Sequence, residues 1–319
     1  MKLAVGFITY NNVSAKYLAY FLPALKEALS FFKEKEYLVL AFDNSDPQNH
    51  ENRLALEFFE YKHKLKIDYN RADTNIGFGA AYNRLLKKAE KMQADYFLII
   101  NPDIILEKKA IYYLVSTLES NPELVAVAPK IRRWDFINLK KTKQIDSCGL
   151  VLKPGLKFYD LGQGEEDVGQ FDKNANIIAP SGAAGLFRLQ LLKKIKNKDD
   201  FFDPEFFMYK EDCDLAYRLK MAGLISKLVP SAIFYHDRTA AFYEKGIFAR
   251  FSNRSRKNKQ IKVWSFYNQH LLFRKYFKNE SIFSQIMIVW RGLILFIFAL
   301  VFEQYNLRQY KKLFFSNKS

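Results

Sequence analysis

The strongest constraint on this chain is an alternation. Through residue 128, short and nearly continuous apolar runs take turns with longer segments of mixed polarity. Residues 2–10, 37–42, 65–69, 96–100 and 124–128 read as buried strands. The stretches 14–32, with Ser14 as a cap, 51–62, 75–92 and 108–118 read as helices. Strands that are apolar on both sides need cover on both sides. The pattern therefore predicts an α/β fold, a mostly parallel central sheet with helices on both faces. In such sheets ligands bind beyond the carboxyl ends of the strands. Three of these ends carry polar groups: Asn11, the turn from Asp43 through Asn44 to Ser45, and the turn Asn101-Pro102-Asp103.

The later chain is less regular. Residues 132–176, rich in Lys, Gly and Asp, predict loops with short strands. Residues 177–188 are apolar and small. Residues 201–209 are dense in aromatics and run into Lys210-Glu211-Asp212-Cys213-Asp214, the start of a helix that Gly223 ends. Residues 225–235 form a last strand, closed by His236.

Charge separates two parts. Residues 1–244 hold 35 Lys and Arg against 32 Asp and Glu, whereas residues 245–319 hold 15 against 2. A nearly neutral body excludes a surface built to neutralise nucleic-acid phosphates. The basic tail suits an anionic membrane surface. Within it, residues 282–302 form a 21-residue apolar segment interrupted by Gln285 and Arg291. A mid-membrane Arg costs roughly 2.5 kcal/mol or more, so the segment reads as a helix lying in the interface, against the alternatives of spanning or packing within protein. The two cysteines, Cys148 and Cys213, are far apart and have no metal-ligand spacing, which fits a reducing cytosol. The first residues lack the pattern of a cleaved leader. Together these features place the chain in the cytoplasm, peripheral at the inner face of the cell membrane.

Four constellations can carry chemistry, and each has a plainer reading. Asp103, just past a buried strand, can hold a divalent cation against a diphosphate, yet Asn-Pro-Asp is also an ordinary turn. Asn75-Ile76-Gly77-Phe78-Gly79, with Asn83, suits phosphate or ribose before a helix. Tyr82 occupies the third glycine position of a dinucleotide fingerprint, so that reading fails, and both glycines can also serve packing. Glu211 and Asp212 offer a general base, although acids at a helix start also answer the dipole, and Asp214 with Arg218 reads as a structural i,i+4 pair. His236 alone is more often structural. Sharing a sheet edge with Asp103, it becomes a metal-ligand candidate.

Taken in order, ITYNN, AFDNSD, NIGFGAAYN, NPD, PSGAAGLFR, FFDPEFFMYKEDCDLAYR and FYH resemble glycosyltransferase family 2, especially its bacterial rhamnosyltransferase-like branch, over residues 1–238. FYNQHLLFRKYF also resembles the segment that follows the catalytic domain in that branch. The resemblance implies a GT-A fold over residues 1–244, with residues 245–319 as a basic, apolar helical extension that associates with membrane. It also implies an inverting transfer from a nucleotide-sugar donor and a metal cofactor, Mg²⁺ or Mn²⁺. Thr9, Asn11, Asp43 and Ser45 fall where the family holds base and ribose. Asn75, Gly77, Phe78 and Asn83 match an element bordering the donor. Asn101 and Asp103 match its DxD-type motif, with Asn101 replacing the first Asp and Asp103 as the metal carboxylate. Asp212 matches the catalytic base, Glu211 its neighbour of open role, and His236 the second metal ligand. Rhamnose from dTDP-rhamnose is the expected donor, ahead of UDP-linked galactose, galactofuranose, glucose or N-acetylglucosamine. The expected acceptor is a glycan or a lipid-linked sugar. A nucleotidyltransferase would want a Gly-rich basic loop after the first strand, where Thr9-Tyr10-Asn11-Asn12 stands. A carbohydrate- or membrane-binding module without turnover is the non-enzyme alternative, and the set Asp103, Glu211, Asp212 and His236 speaks against it.

Overall fold

A computed structural model of the chain describes residues 1–173, 175–238, 254 and 258–315. These residues fall into two compact units. The first comprises Met1–Val151, Asp160–Phe207 and Glu211–Arg238. The second comprises Leu152–Tyr159, Met208–Lys210 and the described residues beyond Arg238. The boundary expected between residues 244 and 245 lies outside the described residues.

The alternation appears as β1 (Leu3–Thr9), α1 (Asn11–Leu29), β2 (Tyr37–Asp43), α2 (Glu51–His63), β3 (Ile67–Arg71), α3 (Phe78–Lys91) and β4 (Tyr96–Ile100). Then come β5 (Ile104–Leu106), α4 (Ala110–Ser120), β6 (Leu124–Asp135) and β7 (Lys140–Ser147). β8 (Leu150–Lys153) and β9 (Lys157–Asp160) follow, then β10 (Ala184–Arg188), the short α5 (Leu189–Leu192), α6 (Glu211–Met221) and β11 (Ile225–His236). The sheet order is β3-β2-β1-β4-β10-β6-β11-β5, with β7 paired to β6, while β8 and β9 form a separate ribbon. β1, β2, β3, β4, β6 and β11 run one way, and β5, β7 and β10 run the other.

The period of two along each strand sorts side chains to the two faces. Leu3, Val5 and Phe7 of β1 and Leu98 and Ile100 of β4 share one core with Phe21 and Leu25 of α1, Leu56 of α2 and Leu114 of α4. On the opposite face Tyr82 of α3 packs its ring 6.4 Å from Phe97, and its hydroxyl reaches the carbonyl oxygen of Ile100 at 3.2 Å.

Two departures from the expected elements have local causes. α1 begins at Asn11, because the Ser14 hydroxyl accepts from the Tyr10 N–H (2.9 Å) instead of capping a later start. β6 runs to Asp135, seven residues beyond the expected end, because β11 and β7 flank its second half. The stretch expected to form loops with short strands holds β7 and the β8–β9 ribbon.

In the second unit α7 (Lys259–Tyr276) is capped by the Asn258 side chain, which accepts from the Gln260 N–H at 2.9 Å. α8 (Ile282–Phe302) matches the expected apolar segment residue for residue, and α9 (Arg308–Phe315) follows. Ser284, Ile288 and Ala299 of α8 are buried, with Arg291 and Leu295 half-buried on the same stripe, at steps of three and four. Ile286, Val289, Trp290, Leu293, Ile297 and Val301 are exposed. Arg291 turns to the protein side, where Nη1 donates to the Gly155 carbonyl oxygen and the guanidinium lies 5.4 Å from the Phe273 ring centre. Among the described residues 11% of the most apolar window of α8 is buried, and by length and composition the helix could cross a membrane.

Candidate active site

The carboxyl ends of β1 and β2 meet in parallel register, Thr9 opposite Asp43. Asp43 is fully buried there and fully engaged. Its Oδ1 accepts from the Thr9 hydroxyl at 2.9 Å and the Ser45 hydroxyl at 2.5 Å, and its Oδ2 accepts from the Tyr69 hydroxyl at 2.8 Å. Burial, then the hydrogen bond to Asp43, pushes the Tyr69 hydroxyl up to about 12. Thr9, Asp43 and Ser45, expected where base and ribose are held, come together as a sealed network that shapes a loop. Asn11 is tied onto that network: its N–H donates to the Ser45 hydroxyl (2.7 Å), and its side chain exchanges two hydrogen bonds with Asp46. The accessible polar surface is an open depression of about 510 Å³ lined by Asn11, Asn12, Asp46 and Asn49.

The loop before α3 is stitched at both sides. The Asn75 side chain accepts from the Gly77 N–H (2.9 Å), the Asn44 side chain donates to the Gly77 carbonyl oxygen (3.1 Å), and the Phe78 N–H donates to the Phe207 carbonyl oxygen (2.9 Å). Phe78 packs against Tyr82 with the ring centres 4.6 Å apart and the planes tilted by 57°. Asn83, expected beside a donor, is 4% exposed and has both ends of its amide occupied. Nδ2 donates to the Phe202 carbonyl oxygen (2.8 Å), and Oδ1 accepts from the N–H groups of Phe201 and Phe202. Its place is as a clamp between α3 and the aromatic loop. Gly77 sits at φ 84°, ψ 170°, a region that only glycine occupies readily, and a Cβ there would lie 2.3 Å from the Phe207 carbonyl oxygen. Gly77→Ala is expected to cost about 3 kcal/mol of unfolding free energy, measured by urea denaturation. A cost near zero would remove the loop's rigidity from this description.

The second polar centre lies where β4 and β11 end and β5 begins. Asn101-Pro102-Asp103 is indeed a turn, closed by the Ile104 N–H donating to the Asn101 carbonyl oxygen (3.3 Å). The register of β5 on β11 sets Ile104 opposite His236. That register delivers the Asp103 carboxylate to the imidazole, with Asp103 Oδ2 3.2 Å from His236 Nε2. The other ring nitrogen, Nδ1, lies 2.8 Å from Asp146 Oδ2. Arg238 continues the chain of contacts to Asp146 (3.4 Å) and Asp160 (3.0 Å). Burial opposes a charged imidazole, but Asp103 and Asp146 outweigh it and hold His236 up to about 10. Burial likewise acts to raise the Asp146 carboxyl, and its contact with His236 reverses the sign, leaving it below its ordinary value.

Asp212 opens α6. Its Oδ2 accepts from the Gly182 N–H at 3.1 Å and its Oδ1 from the Cys213 N–H at 2.8 Å. A Cβ on Gly182 would lie 3.0 Å from that carboxylate, so a residue without a side chain permits the approach. Asp212 is near enough to Arg238 and Asp160 to bias the ionisation of both. The Asn101 N–H donates to the Ala183 carbonyl oxygen (2.9 Å), setting the Gly182 segment beside the Asn101–Asp103 turn. Glu211 is buried next to Asp212, and Asp214 pairs with Arg218 at 2.8 Å. Asp103 and His236 are thus linked through Asp146 to Arg238 and Asp160, and Asp212 lies within electrostatic reach of the last two. Those three linking residues, and Gly182, were not singled out by the sequence. Arg238 stood two residues from His236 and was the one readable signal. Asp146 and Asp160 sit in stretches whose periodicity says nothing of what they face.

Two side chains suit a divalent cation, His236 once the incoming cation displaces the proton that Asp103 and Asp146 favour on its ring. Asp103 Oδ1 is buried with no hydrogen-bond partner, although the side chain as a whole is 28% exposed, and His236 Nε2 faces the same carboxylate. Among the described residues no group of three or more His, Cys, Asp or Glu could hold a metal. The pair fits a hard cation only if phosphate oxygens and water supply the remaining positions.

The sequence model of the family described as Glycosyltransferase like family 2 matches residues 25–258. N-acetylglucosaminyl-diphospho-decaprenol L-rhamnosyltransferase of Mycobacterium tuberculosis is 28% identical over 186 residues, 51% of this chain and 56% of that protein. The chain thus spans about half the length of the curated relatives it matches. Among solved structures, S. aureus TarS superposes with a TM-score of 0.55 at 18% identity, over 96% of this chain and 45% of that one. A mannosyltransferase from Pyrobaculum calidifontis, in complex with GDP-Man and Mn²⁺, gives 0.55 at 16% identity, over 97% and 72%. GalNAc-T7 with UDP, GalNAc and Mn²⁺ gives 0.55 at 10% identity, over 74% and 44%. These likenesses identify the fold as GT-A-like.

Proposed function

This chain belongs to glycosyltransferase family 2, and from that premise we propose that it transfers a hexose, with inversion, from a nucleotide diphosphate sugar to a hydroxyl of a glycan or lipid-linked acceptor in cell-surface polysaccharide synthesis. Residues 1–244 would form the catalytic domain and residues 245–319 the membrane-associating extension. dTDP-rhamnose is the favoured donor and a lipid-linked sugar the favoured acceptor, because a relative at 28% identity is named an L-rhamnosyltransferase acting on a decaprenol-linked sugar.

The observation that carries the reading is the contact between Asp103 and His236, 3.2 Å, with the second Asp103 oxygen buried and unpartnered. Such a pair at the carboxyl ends of parallel strands is suited to a diphosphate brought in with Mg²⁺ or Mn²⁺. When bound, the cation supplies positive charge to the departing nucleotide diphosphate. Asp103 and His236 would hold it, and Asp146 would fix the imidazole from behind. Asp212, oriented by two backbone N–H groups, would take the proton from the acceptor hydroxyl as that oxygen attacks the anomeric carbon and the bond to the diphosphate breaks. One displacement inverts the anomeric centre. Asn11 and the rim of its depression would border the nucleotide. Asn75, Gly77, Phe78 and Asn101 would shape the wall beside the diphosphate.

A panel of nucleotide sugars, assayed with Mn²⁺ and a short lipid diphosphate-sugar acceptor, tests this. Transfer from dTDP-rhamnose with an inverted product is the expected result. No transfer or hydrolysis of any donor would leave only a binding module. The membrane clause has its own measurement. The intact chain is expected to float with phosphatidylglycerol vesicles, and Ile286→Glu with Leu293→Glu, both on the exposed face of α8, to reduce partitioning roughly tenfold or more. Equal flotation would discard the membrane role of that helix.

A further inference from the structure

The second unit contains a pocket of about 230 Å³ that the reaction above leaves without a role. Lys210, Arg254, Ser265, Gln269 and Arg291 line it, with Ile294 of α8 on its wall. Its charge is not balanced among the described residues. Arg254 is answered by Glu303 in a two-point pair, Nε to Oε1 at 2.9 Å and Nη2 to Oε2 at 2.6 Å. Arg291 has the Gly155 carbonyl oxygen and the Phe273 ring, but no carboxylate among the described residues. Burial alone pulls its guanidinium below the ordinary value. Lys210 makes no ion pair among the described residues, and it stands in a left-handed backbone conformation, φ 68°, directly after Tyr209 at φ 70°. Two such residues in sequence are costly without a reason to be held. The Asn268 amide holds this turn, donating to the carbonyl oxygens of Met208 (2.8 Å) and Tyr209 (2.6 Å). One helical step on, Gln269 is 6% exposed and its Nε2 is buried with no partner. A buried amide donor left unpaired is destabilising on its own.

These groups form a donor-rich set around a volume equal to roughly seven waters of liquid. Guanidinium, ammonium, amide and hydroxyl groups converging on such a space match the oxygens of a phosphate or diphosphate. Ile294 also belongs to the uncovered apolar face of α8. An anion that carries an apolar chain would answer both features. A free anion would use only the pocket.

We propose that this pocket binds the phosphate or diphosphate group of a membrane amphiphile, the lipid-linked acceptor, with the lipid chain lying along α8. This rests on the reading of the acceptor given above and adds the groups that would recognise it. Lys210 stands two residues before Asp212 in the chain, so the segment that would hold the headgroup continues directly into the segment that carries the base.

The test is binding, not turnover. Farnesyl diphosphate is titrated into the full chain by calorimetry, without donor. Separate arms use inorganic pyrophosphate, farnesol and phosphatidylglycerol vesicles as competitors. The expected result is binding roughly tenfold or more tighter for farnesyl diphosphate than for pyrophosphate or farnesol, and a roughly tenfold loss with Lys210→Met or with Arg291→Met. Gln269→Leu is expected to weaken binding less. Lys210 is half-buried and makes no ion pair among the described residues, so Lys210→Met stays decisive if Arg291→Met fails to fold. An unchanged thermal midpoint and unchanged nucleotide binding certify the fold. Unaltered affinity in Lys210→Met overturns the proposal. Equal binding of pyrophosphate makes this a free-anion site and overturns the lipid claim. Full displacement by phosphatidylglycerol overturns the acceptor assignment in favour of bulk lipid. A chain that transfers no sugar at all defeats the proposed function and leaves this binding result readable.

Discussion

Asp212→Asn is expected to lower kcat by roughly 10²–10⁴-fold and to leave donor affinity near the wild-type value. The substitution keeps the side chain's shape and removes its charge and its ability to take a proton. It has a predictable side effect. The carboxylate accepts from two backbone N–H groups, those of Gly182 and Cys213, and a carboxamide can accept from only one while turning its NH₂ toward the other. A loss of about 1–2 kcal/mol of stability therefore accompanies the variant, too little to explain the expected loss of rate. Single-turnover transfer at saturating donor, alongside a nucleotide-binding isotherm, separates the two effects. Glu211→Gln is the companion measurement. Glu211 is buried beside Asp212, and if its neutralisation stops transfer while Asp212→Asn turns over normally, the base has been assigned to the wrong member of the doublet.

Much of the first unit's fold follows from local patterning. The strand β4 and the helix α8 begin and end where the apolar runs do, and β1, β2 and α6 do so within a residue or two. What local patterning does not carry is pairing. β10 is a five-residue strand antiparallel to both β4 and β6, and nothing within residues 177–188 records its direction. The three residues of β5 are too few to show a period, yet their register with β11 is what brings Asp103 to His236. The same limit governs the site. Asp103, Asp212 and His236 were readable because each ends or begins an element whose apolar pattern is strong. Asp146, at the end of an amphipathic hairpin strand, and Asp160, at the end of a ribbon, acquire their place in the site from partners 78 to 92 residues away, His236 and Arg238. Asn83 shows the reverse case. It sits in the right motif, but its amide is taken up by backbone 118 and 119 residues further along the chain, a contact that no spacing within α3 could announce.

Removing divalent metal is expected to abolish transfer, and Mn²⁺ or Mg²⁺ to restore it. The expectation starts from a local imbalance. Asp103 presents one oxygen to His236 and keeps the other buried without a partner, an arrangement that is costly unless something positive arrives. Among the described residues two protein donors face that position, so the protein alone should bind Mn²⁺ weakly, and more tightly once a nucleotide diphosphate adds its oxygens. Paramagnetic resonance of free Mn²⁺ measures both states directly. Asp103→Asn preserves the side-chain volume and removes the charge. It is expected to weaken Mn²⁺ binding in the presence of nucleotide by roughly 10–100-fold and to lower transfer at least as much. His236→Ala is the less clean probe, because it strips a partner from the fully buried Asp146 and leaves that carboxylate to Arg133 and Arg238, adding instability to any loss of metal. Undiminished transfer after exhaustive chelation, with Asp103→Asn still active, would leave the Asp103–His236 contact as a structural ion pair and take the cation out of the reaction.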